Sequence, residues 1–113
     1  MADQPVTIAE TSVFRRVVEN CLTEDELEAF KYFLARNPEA GPVIRGTGGV
    51  RKIRWGIGGT GKSGGVRVIY YYMSSAHPIF LLTIYRKAVQ VSLTDAQKEA
   101  MRQLVAMIKE EAS

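Results

Sequence analysis

The sequence predicts an α+β domain in which two N-terminal helices and one C-terminal helix pack on a small antiparallel sheet. Apolar residues recur at helical spacing between residues 11 and 36 and again after residue 94. The segment between them has short runs of β-branched and aromatic residues, which are typical of strands. At 113 residues the chain is expected to form one domain over 1–113.

The N-terminal part predicts a short edge strand over residues 5–9 and then two helices. Apolar positions spaced as on a helix face place the first helix over about 11–20. Thr23 followed by Glu26 has the form of a capping box, which predicts the start of the second helix. Pro38 ends that helix because the residue before a proline disfavours helical geometry.

Three strands and a helix are predicted for the rest of the chain. The strands cover 50–55, 66–73 and 79–85, where β-branched and aromatic residues dominate. A second capping box at Thr94 and Gln97 begins a helix with an apolar face that continues to the C-terminus.

Charge is strongly segregated along the chain. Residues 1–40 carry a net charge of −4 and residues 94–113 carry −1, whereas residues 41–93 contain no Asp or Glu and carry +8. A segment without carboxylates cannot neutralise its own bases, so it should attract a polyanion. Nucleic acid is the first expectation, and a solvated basic face neutralised by other parts of the fold is the alternative.

The sequence indicates a cytoplasmic protein without membrane segments. No apolar run reaches the roughly 18 residues that cross a bilayer, and no basic and apolar leader precedes the first strand. The single cysteine, Cys21, is expected to be a buried structural thiol.

A glycine-rich stretch matches the phosphate-binding loop of nucleotide hydrolases at every fixed position, from Gly56 through Gly61-Lys62-Ser63. That loop functions only where a helix starts at its Lys-Ser end, whereas here Gly64-Gly65 and a predicted strand follow. An acidic magnesium ligand is also missing from 41–93. We therefore interpret the stretch as a hairpin connection in which Lys62 contacts phosphate.

Three motifs resemble the RelE superfamily of bacterial toxins, and they look closest to its HigB branch. In order they are Gly46-Thr47-Gly48-Gly49-Val50-Arg51-Lys52-Ile53-Arg54, Gly61-Lys62-Ser63-Gly64-Gly65-Val66-Arg67-Val68-Ile69-Tyr70-Tyr71, and Leu81-Leu82-Thr83-Ile84-Tyr85-Arg86-Lys87. The chain departs from the family at Arg86, where relatives usually have glycine.

The resemblance implies a ribosome-dependent messenger-RNA endonuclease that needs no metal or cofactor and is silenced by a cognate antitoxin, typically a helix-turn-helix protein. Matched by motif, Lys52 and Arg54 form the basic pair of the second strand, and Arg67 is the central-strand arginine. Arg86 and Lys87 occupy the basic site after the last strand.

These residue types suit metal-free RNA cleavage. Arg67 is expected to bind the scissile phosphate, because a guanidinium donates hydrogen bonds to two oxygens at once and stays charged. Lys52, crowded by Arg51 and Arg54, is the candidate base, and Lys87 or Arg86 is expected to support the leaving group. Further RNA contacts are predicted for Arg51, Lys62, Tyr71 and Tyr85, with the aromatic rings and Trp55 stacking on bases.

Alternatives remain at this point. Tyr70 and Tyr72 are expected in the core, because side chains alternate along a strand and these two lie on the opposite face from Arg67. His77 precedes Pro78 in a predicted turn, so we do not expect it to be the general acid. A gyrase-poisoning toxin of the ParE type, or a ribosome- or RNA-binding module without chemistry, would fit the same fold and charge.

Overall fold

The computed structural model describes residues 4–56 and 65–112, which contain four strands, three α-helices and one turn of 3-10 helix. In chain order these are β1 (Ile8–Glu10), α1 (Ser12–Val17), the 3-10 turn (Val18–Asn20), α2 (Glu24–Arg36), β2 (Val50–Trp55), β3 (Val66–Tyr71), β4 (Ile79–Arg86) and α3 (Asp95–Ala112). The α+β class is confirmed, with two helices before β2 and one after β4.

The strands form one sheet in the order β1-β4-β3-β2. β2, β3 and β4 are antiparallel, as expected, whereas β1 runs parallel to β4, so the sheet is mixed. The Ile79 amide donates to the Thr7 carbonyl at 2.7 Å, and the Thr11 amide donates to the Leu81 carbonyl at 3.1 Å. Most of the chain separates β1 from β4, so no tight turn sets their relative direction and the local pattern did not reveal it.

One face of the sheet packs against α1 and α2. The core on this side is made of large apolar side chains, among them Phe14, Phe30, Leu34, Ile53, Val68 and Tyr70. Trp55 contacts the rings of Phe30 and Phe33, with centroid separations of 5.2 and 5.3 Å. Tyr70 is fully buried and Tyr72 packs partly buried on the same cluster, which confirms both as core residues.

The opposite face of the sheet is covered by α3. Met101 and Val105 of this helix are buried in one cluster with Val50, Ile69 and Tyr71. The ammonium group of Lys109 donates to the Gly48 carbonyl at 3.0 Å and joins α3 to the loop before β2. No helix within the described ranges is long and apolar enough to cross a membrane.

Both predicted capping boxes are present. The Thr23 hydroxyl accepts from the Glu26 amide at 3.1 Å, and the Glu26 carboxylate accepts from the Thr23 amide at 2.8 Å. Thr94 and Gln97 exchange the equivalent pair at 3.1 and 2.9 Å. The first helix is shorter than expected, because its second half tightens into the 3-10 turn at 18–20.

The glycine-rich stretch connects β2 to β3. Residues 57–64, including Lys62, lie outside the described residues. β3 begins at Val66, so a strand follows the Gly-Lys-Ser motif, as the sequence predicts. A nucleotide-binding loop requires a helix at that place instead.

Candidate functional site

The strand register brings three predicted basic residues onto one face of the sheet. Arg54 on β2 lies directly opposite Arg67 on β3, and Lys52 lies opposite Ile69. Because side chains alternate along a strand, Lys52, Arg54 and Arg67 share the face that carries Ile69. This is the face that α3 covers, since Ile69 belongs to the cluster beneath that helix.

The arginine pair occupies a closely spaced position of the ladder. The Lys52 amide donates to the Pro42 carbonyl at 3.0 Å, away from β3, so the backbone groups of Arg54, two residues on, also point outward. Arg54 and Arg67 are therefore a pair without mutual backbone hydrogen bonds, for which the Cα atoms lie only about 4.5 Å apart. Two like charges opposite each other at this spacing destabilise a sheet. An anion bound between them relieves that repulsion.

Arg67 is buried, with 5% of its surface exposed. Its guanidinium donates to the Val66 carbonyl at 3.3 Å, and no carboxylate within the described ranges forms an ion pair with it. A guanidinium has five N–H donors and a buried charge is costly unless it is paired. Arg67 thus retains donors and charge that suit an anionic ligand.

Tyr85 on β4 extends this row of side chains. It pairs with Arg67 across the β3–β4 ladder and therefore faces the same side of the sheet. Tyr85 is 7% exposed, and its hydroxyl is buried with no hydrogen-bond partner among the described residues. Burial raises the pKa of Tyr85, and the nearby charge of Arg67 partly opposes that rise.

Lys52 and Arg54 also line a groove at the outer edge of β2. The groove has a volume of about 440 Å³ and is completed by Ala40, Pro42 and Ile53. Arg54 is exposed and Lys52 is half-buried, so both are accessible from this side. Arg54, which lines the groove, is the cross-strand neighbour of Arg67, so the groove offers a path for an extended, negatively charged chain.

Arg51 is not part of this face. It alternates with Lys52 and donates to the Gly41 carbonyl at 2.7 Å and the Glu39 carbonyl at 3.3 Å, with the Glu39 carboxylate at 4.0 Å. The structure therefore places Arg51 in a contact that holds the segment after α2, rather than beside Arg67.

The two basic residues at the end of β4, Arg86 and Lys87, do not lie together. Arg86 is exposed and alternates with Tyr85, so it lies on the opposite face, where its charge partly offsets the rise that burial causes in the pKa of the Cys21 thiol. Lys87 is half-buried, and its amide donates to the Gly65 carbonyl at 3.1 Å. This bond continues the ladder beyond β4 and keeps Lys87 at the Arg67 end of the sheet.

Of the aromatic residues expected to stack on bases, Tyr71 lies in the core and Trp55 packs partly buried against it. Tyr71 is 5% exposed beneath α3, with the Lys109 ammonium 6.0 Å from its ring centre. Trp55 packs on Phe30 and Phe33 on the α1–α2 side. The correction has a simple cause: aromatic side chains on strands bury the most apolar area, and both faces of this sheet are covered.

His77 lies at the other end of the sheet. Its Nδ1 is 3.0 Å from the Ser74 hydroxyl, and with Phe80 and Ile108 it lines a small cavity of about 180 Å³. His77 precedes the start of β4 while Tyr85 is near its end, a separation of roughly 25 Å along the strand. Within the described ranges, no group of three His, Cys, Asp or Glu side chains is arranged to hold a metal ion.

Sequence reasoning missed two features of the site. It identified Arg54 and Arg67 but not that they face each other, because register between strands depends on the loop that joins them. It assigned Tyr85 a stacking role, whereas the structure buries the ring and leaves its hydroxyl without a partner among the described residues. No signal in the sequence predicts an unpaired hydroxyl.

Comparison with known proteins identifies the fold. No family model matches the sequence. A solved structure of Escherichia coli toxin RelE in the free state, with two arginines replaced by alanine, superposes with a TM-score of 0.55. The match covers 78% of this chain and 90% of that chain at 14% sequence identity. The chain has a RelE-like fold. At this identity the likeness extends to the fold, and the RelE-like sheet is the frame on which Lys52, Arg54, Arg67 and Tyr85 are arranged.

Proposed function

We propose that this chain is the toxin of a type II toxin–antitoxin system and cleaves messenger RNA on the ribosome. The observation that carries the proposal is the arginine pair Arg54–Arg67, two like charges opposed across neighbouring strands with one of them buried. Such an arrangement destabilises the free protein and is offset when a phosphate binds between the two groups. The RelE-like fold, and the resemblance of three motifs to the HigB branch, support the same function.

The cleavage step requires a base, a site for the growing negative charge and an acid. Lys52, in its amine form, accepts the proton of a ribose 2′-hydroxyl, and the 2′-oxygen attacks phosphorus. Arg67 and Arg54 bind the non-bridging oxygens, whose negative charge grows in the transition state. The bond from phosphorus to the 5′-oxygen breaks, and Lys87 donates a proton to that oxygen. The products are a 2′,3′-cyclic phosphate and a free 5′-hydroxyl.

Charge also supports the proposed partners. The segment that carries these residues has no Asp or Glu and a net charge of +8, which suits binding to ribosome-held RNA in the cytoplasm. A cognate antitoxin, which we propose is a helix-turn-helix protein, would silence the site by covering the same face. An acidic segment of that partner would compete directly with RNA.

The first test is inducible expression in growing bacteria with mapping of transcript 5′ ends. Wild type is expected to arrest growth and to produce new ends inside translated frames, and Arg67→Ala and Lys52→Ala are expected to abolish both effects. Arg15→Ala removes an equal charge from an exposed position on α1 and should behave as wild type. Arrest without new ends would contradict the nuclease and favour a gyrase-poisoning or RNA-binding role.

A charge-conserving variant separates binding from geometry. Arg67→Lys keeps the positive charge but loses the planar fork that contacts two oxygens at once. We expect purified Arg67→Lys to bind programmed ribosomes and to cleave their message at least about 100-fold more slowly than wild type. Wild-type cleavage by this variant would show that charge alone is sufficient.

A further inference from the structure

Tyr85 contains a buried donor that no described residue uses. Its hydroxyl has no hydrogen-bond partner among the described residues, although 93% of the residue is shielded, since 7% is exposed. Buried hydroxyls are normally paired, because losing water without a replacement partner costs about 1–3 kcal/mol.

Tyr70, on the neighbouring strand, shows the usual arrangement. Its hydroxyl donates to the Pro38 carbonyl and accepts from the Gly41 amide, both at 2.9 Å. The fold therefore does satisfy a tyrosine hydroxyl where that hydroxyl serves the structure. The contrast indicates that the Tyr85 hydroxyl is available to a ligand.

The chemistry beside Tyr85 defines that partner. Arg67 is its cross-strand neighbour and is 5% exposed, and its guanidinium donates to the Val66 carbonyl. Arg54 is directly opposite Arg67. Guanidinium groups only donate, and the Tyr85 hydroxyl neither donates to nor accepts from any of the described residues, so a ligand rich in acceptor oxygens suits all three groups.

We propose that the Tyr85 hydroxyl and the Arg67 guanidinium form a single oxyanion site, in which Tyr85 donates to a non-bridging phosphate oxygen held by Arg67. That the phosphate belongs to RNA rests on the proposed function, whereas phosphate binding itself does not. Low exposure strengthens both hydrogen bonds, because electrostatic interactions are stronger away from water. Tyr85 is thus assigned a direct contact with the substrate instead of base stacking.

Tyr85→Phe removes the hydroxyl and nothing else, and Tyr70→Phe is the matched control. Removing an unpaired buried hydroxyl should leave the melting temperature unchanged or raise it, whereas Tyr70→Phe should lower it. Cleavage of ribosome-bound message should fall about 100-fold in Tyr85→Phe, the typical loss when one oxyanion donor is removed. Tyr70→Phe should retain the wild-type rate below its melting transition.

Phosphate binding is tested separately with inorganic phosphate as the probe. Phosphate, compared with chloride at equal ionic strength, should raise the melting temperature of wild type, with a smaller rise in Tyr85→Phe and none in Arg67→Ala. Phosphate stabilisation that depends on Tyr85 in a chain that cleaves no RNA would retain the oxyanion site and overturn the nuclease. Wild-type cleavage and wild-type phosphate stabilisation in Tyr85→Phe would overturn the role of Tyr85 and leave the nuclease intact. Destabilisation of Tyr85→Phe equal to that of Tyr70→Phe would show a structural hydroxyl and also overturn the proposal.

Discussion

Arg54 and Arg67 are neighbours that the fold holds together against their own repulsion. Natural sheets place opposite charges or apolar side chains across such positions, because like charges there are destabilising. The half-buried Lys52 lies on the same face, two positions before Arg54 on β2. At the scale of single residues, this opposition of like charges is the main support for the proposed anion site, because an anion bound between the two groups would offset their repulsion.

Relieving the repulsion should stabilise the free chain while it weakens function. Arg54→Gln is expected to raise the free energy of unfolding by roughly 0.2–1 kcal/mol, measured by urea denaturation, because one of two opposed charges is removed. Cleavage should fall about tenfold or more, since a charge-assisted hydrogen bond contributes about 1.5–3 kcal/mol.

Salt provides the control for Arg54→Gln. The gain in stability should shrink as ionic strength rises, because Arg54 is exposed and its repulsion is screened. Arg15→Gln on α1 should show neither the gain nor its salt dependence. A destabilised Arg54→Gln would show that the arginine supports the fold and would contradict the interpretation of the pair.

Gly41 is a second residue whose identity the structure explains. A Cβ atom at this position would lie 2.8 Å from the Lys52 carbonyl oxygen and 3.0 Å from the Ile53 Cβ. Gly41→Ala is therefore expected to lower the free energy of unfolding by about 1–3 kcal/mol, measured by urea denaturation. At Gly56 a Cβ would meet no atom of the described residues within 4 Å, so Gly56→Ala should be neutral. Equal effects of the two substitutions would contradict the close approach at Gly41.

At the scale of elements, α3 determines which side chains are exposed on the sheet face that carries Arg54 and Arg67. The helix buries Tyr71 and Ile69 and is attached at both ends, through Lys109 near its C-terminus and through its capping box. Gln97 accepts from the Thr94 amide at 2.9 Å and from the Gln90 side chain at 2.7 Å, so the same residue orders the segment after β4. The start of α3 is therefore linked to the segment that contains Gln90.

The cap of α3 can be weakened without touching the site. Thr94→Ala removes the hydroxyl that accepts from the Gln97 amide and should lower the free energy of unfolding by about 0.5–2 kcal/mol in urea denaturation. Thr94→Ser retains an accepting oxygen and should lose little. If Thr94→Ala were as stable as wild type, the capping bond would not contribute and α3 would be held by its apolar face alone.

At the scale of the whole molecule, charge is divided between regions of the chain. The helical first 40 residues carry −4, whereas the segment with β2, β3 and β4 carries +8. A positive surface of this kind draws an RNA strand from a distance and releases the counterions condensed on it. Binding should therefore depend steeply on salt.

The salt dependence identifies phosphate contacts one by one. We expect the affinity for a 2′-O-methyl RNA strand, which binds but lacks the attacking hydroxyl, to fall linearly with salt on a log–log plot. Arg54→Gln should reduce that slope by about 0.7, the value for one phosphate contact on a single strand. Arg15→Gln should leave the slope unchanged. An unchanged slope in Arg54→Gln would place Arg54 outside the RNA path.

Much of the fold could be predicted from the sequence because its signals are local. Capping boxes, helical spacing and β-branched runs each depend on a few consecutive residues, and these predicted α2, β2, β4 and α3 with small errors at their ends. The basic residues of the site were also visible, because a stretch without carboxylates needs no structure to be recognised.

The sequence by itself determined the α+β class, the order of the helices and strands, and the positive charge of the segment from Gly41 to Leu93. The tertiary structure alone decided that β1 runs parallel to β4, that Arg54 faces Arg67, that Arg51 and Arg86 turn to the other side, and that the Tyr85 hydroxyl is buried without a partner among the described residues. The physical reason is range: helix and strand signals act between near neighbours in sequence, whereas register, strand direction and burial arise from contacts between residues far apart in the chain.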